Sequence, residues 1–531
     1  MRCIITVGLA VALNILSVKG QMTVAENSDF NSTSTHSEVM SFVSQLTGLS
    51  PFVRVDTLAM SVEGKLVPLL VIGDPLPERP EDLASDNRLV VYIQANIHAG
   101  EVEGKEASLM LARDLLKEHD PKYFRNLVIL ICPNLNPDGN DKISTRNRTN
   151  QNGPQNGVGV RYNGQMLDLN RDAMKLETPE MRGVITRIFN RWDPALTVDC
   201  HTTNGSYHEE AVTFNWMVNP NGDRNLINYM RDELCPAVSQ RLKSVYGVDN
   251  IFYGEFIDFK DYSKGWESYA SEPRYLVNYV GIRNRLGILN ENYVYADYRT
   301  RVMGCYALLR SILDYSAENR QKIRELIRTT DEAMILRERD KVSADSFALE
   351  YKVRPTPEMV TIHAYEVAPN PEPNVWPYYI RTDQKVTVTV PFFADYSPTR
   401  SIAMPFGYAL TMHDHNVLDL LQIQGIRFHR LEDSASYRVE SFTISELKPS
   451  ERLNQGHYTN KVTGEWKQEK RTFPPGTYVI TTAQPLGNLA AYLLEPQSDD
   501  SMLLWNFFDR YLVPQWGRGY YPYPVYRIIE K

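Results

Sequence analysis

Four apolar segments of the sequence, each with the character of a buried strand, lead directly into polar residues of types common in catalytic sites. The polar residues are His98 and Glu101 after the first segment, Asn136 after the second, His201 after the third and Glu291 after the fourth. In an open α/β sheet the ligand binds in the crevice beyond the carboxyl ends of the strands. We therefore expect these side chains to converge on one site.

Two imidazoles and one carboxylate in this set predict a zinc site. His98 and Glu101 lie three residues apart across a turn, and His201 adds a third ligand from another strand, which gives the His₂Glu set of hydrolytic zinc sites with one position left for water. We expect one Zn²⁺ per chain, Glu291 as the general base and Asp168 as a support for a ligand imidazole. The five cysteines include no Cys-x-x-Cys pair, so a thiolate zinc site is not expected.

The elements that must position these residues are strands that alternate with helices. The four apolar segments are strand candidates, at 88–95, 126–132, 195–199 and 286–290, and residues 103–117 show helical spacing of apolar side chains. Continuous apolar strands between helices predict an α/β fold with a mixed, largely parallel sheet that has helices on both faces. After about residue 346, short alternating segments separated by proline-rich turns predict a β-sandwich-like domain.

The chain is predicted to consist of four parts. Residues 1–20 resemble a secretory signal peptide, 21–36 form a polar flexible tail, 37–342 form the catalytic domain and 343–531 the C-terminal β-rich domain. The signal peptide predicts a secreted or periplasmic protein, and no other segment is long and apolar enough to span a membrane. The net charge of −8, with no basic cluster, argues against nucleic acid as a partner.

The polar residues occur in ordered motifs, and with them the chain resembles the M14 zinc carboxypeptidase family over about residues 40–320. The closer likeness is to large bacterial-type members with a C-terminal β domain. The motifs, in chain order, are His98-Ala-Gly-Glu101, Asn136-Pro-Asp-Gly139, Asp168-Leu-Asn170-Arg171, His201 and Glu291. The resemblance implies a zinc carboxypeptidase-like fold and a metallocarboxypeptidase that cleaves C-terminal residues from peptides with a free carboxylate.

The resemblance also implies a role for each motif residue. The implied zinc ligands are His98, Glu101 and His201, with Asp168 behind the first histidine, Glu291 as general base, and Asn170 and Arg171 as the pair that binds the substrate carboxylate. An arginine that stabilises the oxyanion should lie between the second and third motifs. Arg146, Arg148 and Arg161 are candidates, and we assign the role to Arg148. The tyrosine that closes over the substrate is one of Tyr269, Tyr275 and Tyr279, and we assign it to Tyr279.

The sequence departs from the family pattern at Gly100, where many digestive-type members have arginine. A contact to the substrate is therefore expected to be absent. Two alternatives stay open beside a carboxypeptidase: a zinc amidase, esterase or deacylase acting on acyl-amino acids or cell-wall peptides, and a non-catalytic peptidase-like binding protein. Side-chain specificity and oligomeric state are not predicted.

Overall fold

The computed structural model of the protein describes residues 21–203, 205–337, 345–372, 374–375 and 377–530. The predicted signal peptide at 1–20 and the predicted domain boundary at 342/343 lie outside these residues. Within the described part of the chain, no helix combines the length and the apolar character that a membrane span requires.

An eight-stranded mixed sheet forms the centre of the first part of the chain. Its strands follow the order β1-β2-β4-β3-β5-β10-β6-β7, and the remaining two, β8 and β9, belong to a second sheet. The strands of this part are β1 Val53–Met60, β2 Leu66–Ile72, β3 Leu89–Ala95, β4 Leu127–Cys132, β5 Leu196–Thr202, β6 Val212–Trp216, β7 Asn250–Phe252, β8 Glu255–Phe256, β9 Trp266–Glu267 and β10 Leu286–Asn292.

The four strand candidates of the sequence are four neighbouring strands of this sheet. They are β4, β3, β5 and β10, and each neighbouring pair among them is parallel. Because parallel strands end at the same edge of a sheet, the residues that follow them are brought together at that edge. Antiparallel pairs occur between β1 and β2, β2 and β4, and β10 and β6, so the sheet is mixed, as predicted.

Helices cover both faces of the sheet. Successive residues of β3 enter different cores. Val91 and Ile93 belong to one core with Phe42, Leu109 and Val302, whereas Val90 and Tyr92 belong to another with Met181 and Val280. This alternation follows from the two-residue period of a strand. The helices are α1 Val24–Asn27, α2 His36–Leu49, α3 Glu103–Glu118, α4 Pro121–Phe124, α5 Pro137–Asn140, α6 Pro179–Gly183, α7 Arg224–Tyr229, α8 Cys235–Tyr246, α9 Leu276–Ile282, α10 Tyr298–Glu318, α11 Arg320–Leu336, α12 His415–Ile423, α13 Gly487–Leu494 and α14 Asp509–Leu512.

Shorter helical segments complete this part. A π-helical segment continues α6 and another joins α7 to α8, and three short segments are 3₁₀ helices. The π-helical segments are Val184–Trp192 and Met230–Leu234, and the 3₁₀ segments are Pro80–Ser85, Leu169–Arg171 and Tyr262–Lys264. The 3₁₀ turn at Leu169–Arg171 begins at Asp168, whose side chain accepts a hydrogen bond from the Asn170 amide. It therefore holds the third sequence motif in a compact turn.

The region after residue 345 is rich in β structure, as predicted. A long hairpin of β11 and β12 joins β8 and β9 in a four-stranded sheet, and the other strands form a six-stranded sheet in the order β14-β17-β13-β18-β15-β16. The strands are β11 Ser346–Pro369, β12 Tyr379–Ala403, β13 Gly407–Leu410, β14 Phe428–Arg430, β15 Ala435–Pro449, β16 Asn460–Phe473, β17 Tyr478–Thr481 and β18 Val525–Glu530.

A β-sandwich would have a second sheet packed on the six-stranded sheet, but helices cover one of its faces. Tyr408 and Ile480 from one of its faces belong to a core that also contains Leu420 of α12 and Leu493 of α13. Alternating apolar residues predict a half-buried strand, but they do not determine whether a sheet or a helix packs on it. Here helices pack on that face, and the same core continues into α6 and α9 of the first part.

The prediction of a flexible tail at 21–36 is wrong. This segment contains α1, and Thr23 and Thr35 form capping boxes at the starts of α1 and α2. The carboxylate of buried Glu106 accepts hydrogen bonds from the Thr33 hydroxyl at 3.0 Å and the Ser34 amide at 2.7 Å. The polar composition that suggested flexibility thus supplies helix caps and partners for a buried charge.

The contact between α3 and β5 gives a test of this packing. A Cβ added at Gly104 would lie 2.3 Å from the Cβ of Cys200, next to His201. We expect Gly104→Ala to lower the free energy of unfolding by about 1–3 kcal/mol, because overpacking forces backbone shifts. Gly48→Ala in α2 is the control, since nothing lies within 4 Å of its added Cβ. Urea unfolding that ranks the two variants equally would contradict the packing described.

Candidate functional site

Three sequence-predicted ligand residues lie together at the carboxyl edge of the sheet. His98 and Glu101 occupy the loop after β3, in a turn that the Glu101 amide closes on the His98 carbonyl at 2.9 Å. His201 is the residue before the last of strand β5 and pairs in register with Glu291 of neighbouring β10. The strands therefore bring both imidazoles and both carboxylates to one edge.

The three ligand atoms of this group face a common point. Nδ1 of His98 lies 3.1 Å from Oε2 of Glu101, Nδ1 of His201 lies 3.0 Å from the same oxygen, and the two Nδ1 atoms are 3.1 Å apart. Tetrahedral zinc with bonds of roughly 2.0–2.1 Å holds such ligand atoms about 3.3 Å from one another. The donor set and its spacing therefore fit Zn²⁺, and among the described residues this is the one group of three such side chains.

Each imidazole is fixed by a carboxylate behind it. Nε2 of His98 lies 3.0 Å from Oδ1 of Asp168, and Nε2 of His201 lies 2.9 Å from Oδ2 of Asp199. Such carboxylates set the tautomer and orientation of a metal-binding histidine. Asp168, which the sequence suggests as the support of an imidazole, contacts His98. The contact of Asp199 was missed, although its position two residues before His201 on a strand, hence on the same face, is visible in the sequence.

The charges of this group are mutually stabilising. Burial opposes a charge on His201, but the charge and hydrogen bond of Asp199 outweigh it and raise the pKa of His201. Burial likewise disfavours charge on Asp168, yet its interactions with His98, Arg161 and Arg171 lower its pKa. The Asp168 carboxylate is consequently ionised around neutral pH.

A cavity of about 240 Å³ opens in front of this group. Six of the predicted site residues line it, and they are His98, Glu101, Asn170, Arg171, His201 and Glu291. Other parts of the wall come from aromatic and apolar residues, which include Tyr253, Tyr269, Ala270, Tyr275, Val277 and Leu289. The site thus combines ligand atoms, a carboxylate and an arginine in one concave space, which is the general form of a small-molecule or peptide site.

Glu291 lies in the same cavity as His98, Glu101 and His201, the ligand cluster, and its pKa is raised. Burial raises the pKa of its carboxyl group to about 8, although the charges of His201, Arg148 and Arg161 act in the opposite direction. A carboxylate with a raised pKa at the wall of a cavity is suited to accept and return a proton near neutral pH.

Asn170 and Arg171 lie in the same short turn as Asp168. Asn170 accepts a hydrogen bond at Oδ1 from the Leu276 amide at 2.9 Å, and the Arg171 guanidinium lies 4.3 Å from the ring centre of Tyr275. These contacts fix an amide and a guanidinium at the cavity. A guanidinium presents paired donors that match a carboxylate.

The assignment of Tyr279 to the cavity is wrong. Its side chain is fully buried, and its hydroxyl group bonds to Gln424 and to Nη1 of Arg283 at 3.0 Å. Tyr279 lies one turn along α9 from the cavity and packs against the C-terminal region instead. Two of the other tyrosines considered in the sequence, Tyr269 and Tyr275, line the cavity.

The two arginines near the ligand cluster have different surroundings. Arg148, the residue assigned from the sequence, is bound to the side chain of Gln151 at 2.8 Å, to Oε1 of Glu101 at 3.0 Å and to the Thr202 carbonyl at 3.2 Å, and it does not line the cavity. Arg161 lines the cavity, and its Nε donates to Oδ2 of Asp168 at 2.8 Å. Of the arginines considered, Arg161 therefore has the better placement for contact with a ligand.

Comparisons with known proteins agree with this arrangement. The family model described as zinc carboxypeptidase, Peptidase_M14, matches residues 39–211. "Carboxypeptidase 2" of Trichophyton rubrum is 21% identical over 445 residues, which cover 78% of this chain and 73% of that protein. "Probable carboxypeptidase 2" of Arthroderma benhamiae is 22% identical over 473 residues, which cover 83% and 79%.

A solved metallo-carboxypeptidase from Burkholderia cenocepacia is also similar, with a TM-score of 0.40 at 19% identity over 53% of this chain and 69% of that chain. The family-model match spans the first three motifs and His201, and the curated relatives extend over most of the chain. Residues 39–211 thus match the zinc carboxypeptidase family model, and over most of its length the chain is similar to curated carboxypeptidases.

Proposed function

We propose that this protein is a zinc-dependent carboxypeptidase that removes C-terminal residues from peptides. The observation that supports this most is the placement of Asn170 and Arg171 in the same cavity as the ligand cluster and Glu291. A free carboxylate bound by the Asn170–Arg171 pair would put the last peptide bond of a substrate within reach of the metal position. Binding at the terminus would thereby select the bond to be cut.

Each residue of the site would have a separate role in the hydrolysis. His98, Glu101 and His201 would hold the metal. Bound Zn²⁺ would lower the pKa of a water to roughly 7 and polarise the substrate carbonyl. Glu291 would take a proton from the attacking water and return it to the departing amine.

We also propose Arg161 in place of Arg148 as the arginine that stabilises the developing oxyanion. Arg161 lines the cavity, whereas Arg148 is engaged with Glu101, Gln151 and the Thr202 carbonyl and does not. In this assignment Arg148 orients the metal-binding carboxylate. For the role of the closing tyrosine, Tyr275 and Tyr269 remain, because both line the cavity and Tyr279 does not.

The two alternatives predict different outcomes. An amidase, esterase or deacylase would use the same metal and base but would not require a free C-terminal carboxylate. A binding protein would hold the metal without turnover. The presence of Glu291 at the cavity wall favours catalysis, since a binding site gains nothing from a half-buried base.

Replacing the base tests catalysis. We expect Glu291→Gln to lower kcat by about 10²–10⁴-fold, because it removes the proton acceptor and keeps the shape of the side chain. In wild type, kcat/KM should fall as the pH drops through the pKa of Glu291, and that fall should lie above the ordinary carboxyl value of 4.5, since burial raises this pKa. Zinc content of both proteins, measured by elemental analysis, is the control. Equal turnover by the two zinc-loaded proteins would exclude Glu291 as the base.

Paired substrates test the carboxylate-binding role. Arg171→Ala should lower kcat/KM at least tenfold for a free-acid peptide and change little for its C-terminal amide, because only the former offers a carboxylate. Arg161→Ala is the matched variant: it should lower kcat on both substrates, since an oxyanion develops in either reaction.

Equal losses on free acid and amide in Arg171→Ala would contradict the terminal-carboxylate role and favour the amidase or esterase alternative. Zinc-loaded wild-type protein that turns over no substrate of either type would favour the binding protein.

A further inference from the structure

A loop of the C-terminal β-rich region reaches the motif turn at the active site. It connects β15 to β16 over residues 450–459. Oε1 of Gln455 in this loop accepts a hydrogen bond from the backbone amide of Asp168 at 2.8 Å, across 287 positions of sequence. Asp168 is the residue that supports His98 on one side and starts the Asn170–Arg171 turn on the other.

The conformation of the loop tip presents Gln455 to that amide. Asn454 and His457 pair through two backbone hydrogen bonds of 2.8 and 2.9 Å, and the two residues between them, Gln455 and Gly456, have φ angles of 52° and 83°. Turns of this kind, with both central residues at positive φ, favour asparagine, aspartate or glycine. A glutamine there is conformationally unfavourable, and its side-chain bond to Asp168 is an interaction that offsets this cost.

A second contact fixes the same loop to the same segment. Nε2 of His457 lies 2.7 Å from Oε1 of Glu177, and Nδ1 lies 3.0 Å from Oδ1 of Asn506. Both ring nitrogens thus face oxygen atoms, and the hydrogen bond to Glu177 is the main reason that the pKa of His457 is raised. The loop therefore holds the segment 168–177 at both ends.

A third contact links the C-terminal region to the other wall of the cavity. The Asp500 carboxylate accepts a hydrogen bond from the Arg274 amide at 2.9 Å, and Arg274 precedes Tyr275, the ring on which Arg171 stacks. Residues beyond 450 thus support Arg171 in two places. Gln455 binds the start of its turn, and Asp500 binds the residue before Tyr275.

We propose that Gln455 is a positioning residue of the active site. By fixing the backbone of Asp168, it sets the carboxylate behind His98 and the direction in which the Asn170–Arg171 turn faces the cavity. Gln455 would touch neither metal nor substrate and would act through Asp168. The proposal rests on the proposed function where it concerns the substrate, but its effect on His98 concerns metal binding alone.

Three variants test this in the full-length protein. Gln455→Met keeps the length of the side chain without a comparable acceptor, Gln455→Glu keeps an acceptor oxygen, and Leu453→Ala changes an exposed residue of the same loop. The measurements are the Zn²⁺ dissociation constant by competition with a chelator, KM and kcat for a free-acid peptide at saturating Zn²⁺, and the melting temperature.

We expect Gln455→Met to weaken Zn²⁺ binding about threefold to tenfold, less than the 10–100-fold typical of a direct partner of a metal ligand. KM should rise about threefold to tenfold, with kcat within about twofold of wild type, because the carboxylate-binding turn is displaced and the base is not. Gln455→Glu should retain at least half of the wild-type Zn²⁺ affinity, and Leu453→Ala should resemble wild type.

Wild-type Zn²⁺ affinity and KM in Gln455→Met would overturn the proposal. So would equal losses in Gln455→Met and Gln455→Glu together with a lowered melting temperature, which would indicate a role in folding only. Wild-type protein that binds Zn²⁺ but cleaves no peptide would refute the proposed function, and the Zn²⁺ affinities of the three variants would still decide the role of Gln455.

Discussion

The close approach of two imidazole nitrogens and one carboxylate oxygen is the interaction on which the whole site depends. These atoms, from His98, Glu101 and His201, lie 3.0–3.1 Å apart in a buried place where two ring nitrogens facing each other need a cation or a proton between them. The cost of burying such groups is met by the carboxylates of Asp168 and Asp199 behind the rings. The parallel strands β3, β5 and β10 make the arrangement possible, because they end at one edge of the sheet.

The sequence was sufficient for features that depend on local pattern. Apolar strands followed by polar residues predicted the four central parallel strands and the convergence of His98, His201 and Glu291, since parallel strands leave little freedom in where their carboxyl ends lie. Asp199 could also have been found, because residues two apart on a strand share a face.

Features that depend on tertiary packing could not be read in this way. Tyr279 and Tyr275 are equivalent in sequence terms, yet α9 directs one into the core and the other to the cavity. Arg148 and Arg161 differ only in which partners the folded loops bring to them. The segment 21–36 appeared disordered because its polar residues have no visible partners until Glu106 is buried beneath them. The contact of Gln455 with Asp168 gives no signal in the sequence.

The contacts of Gln455, His457 and Asp500 connect the C-terminal region to the walls of the cavity. This region shares a core with the helices on one face of the main sheet, and through Gln455, His457 and Asp500 it contacts the segments that contribute Asn170, Arg171 and Tyr275 to the cavity. The motif turn at Asp168 is a short 3₁₀ segment with few backbone hydrogen bonds of its own. Support from outside is therefore a physical requirement for such a turn if it is to keep a fixed direction.

X-ray absorption at the zinc edge, on protein purified with one equivalent of Zn²⁺, tests the assignment of His98, Glu101 and His201 as the metal ligands. We expect a four- or five-coordinate ion with two histidine nitrogens and a carboxylate oxygen at roughly 2.0–2.2 Å, and loss of the histidine scattering from that site in His201→Ala. A six-coordinate ion bound only by oxygen, sulfur neighbours near 2.3 Å, or an unchanged spectrum in His201→Ala would contradict it.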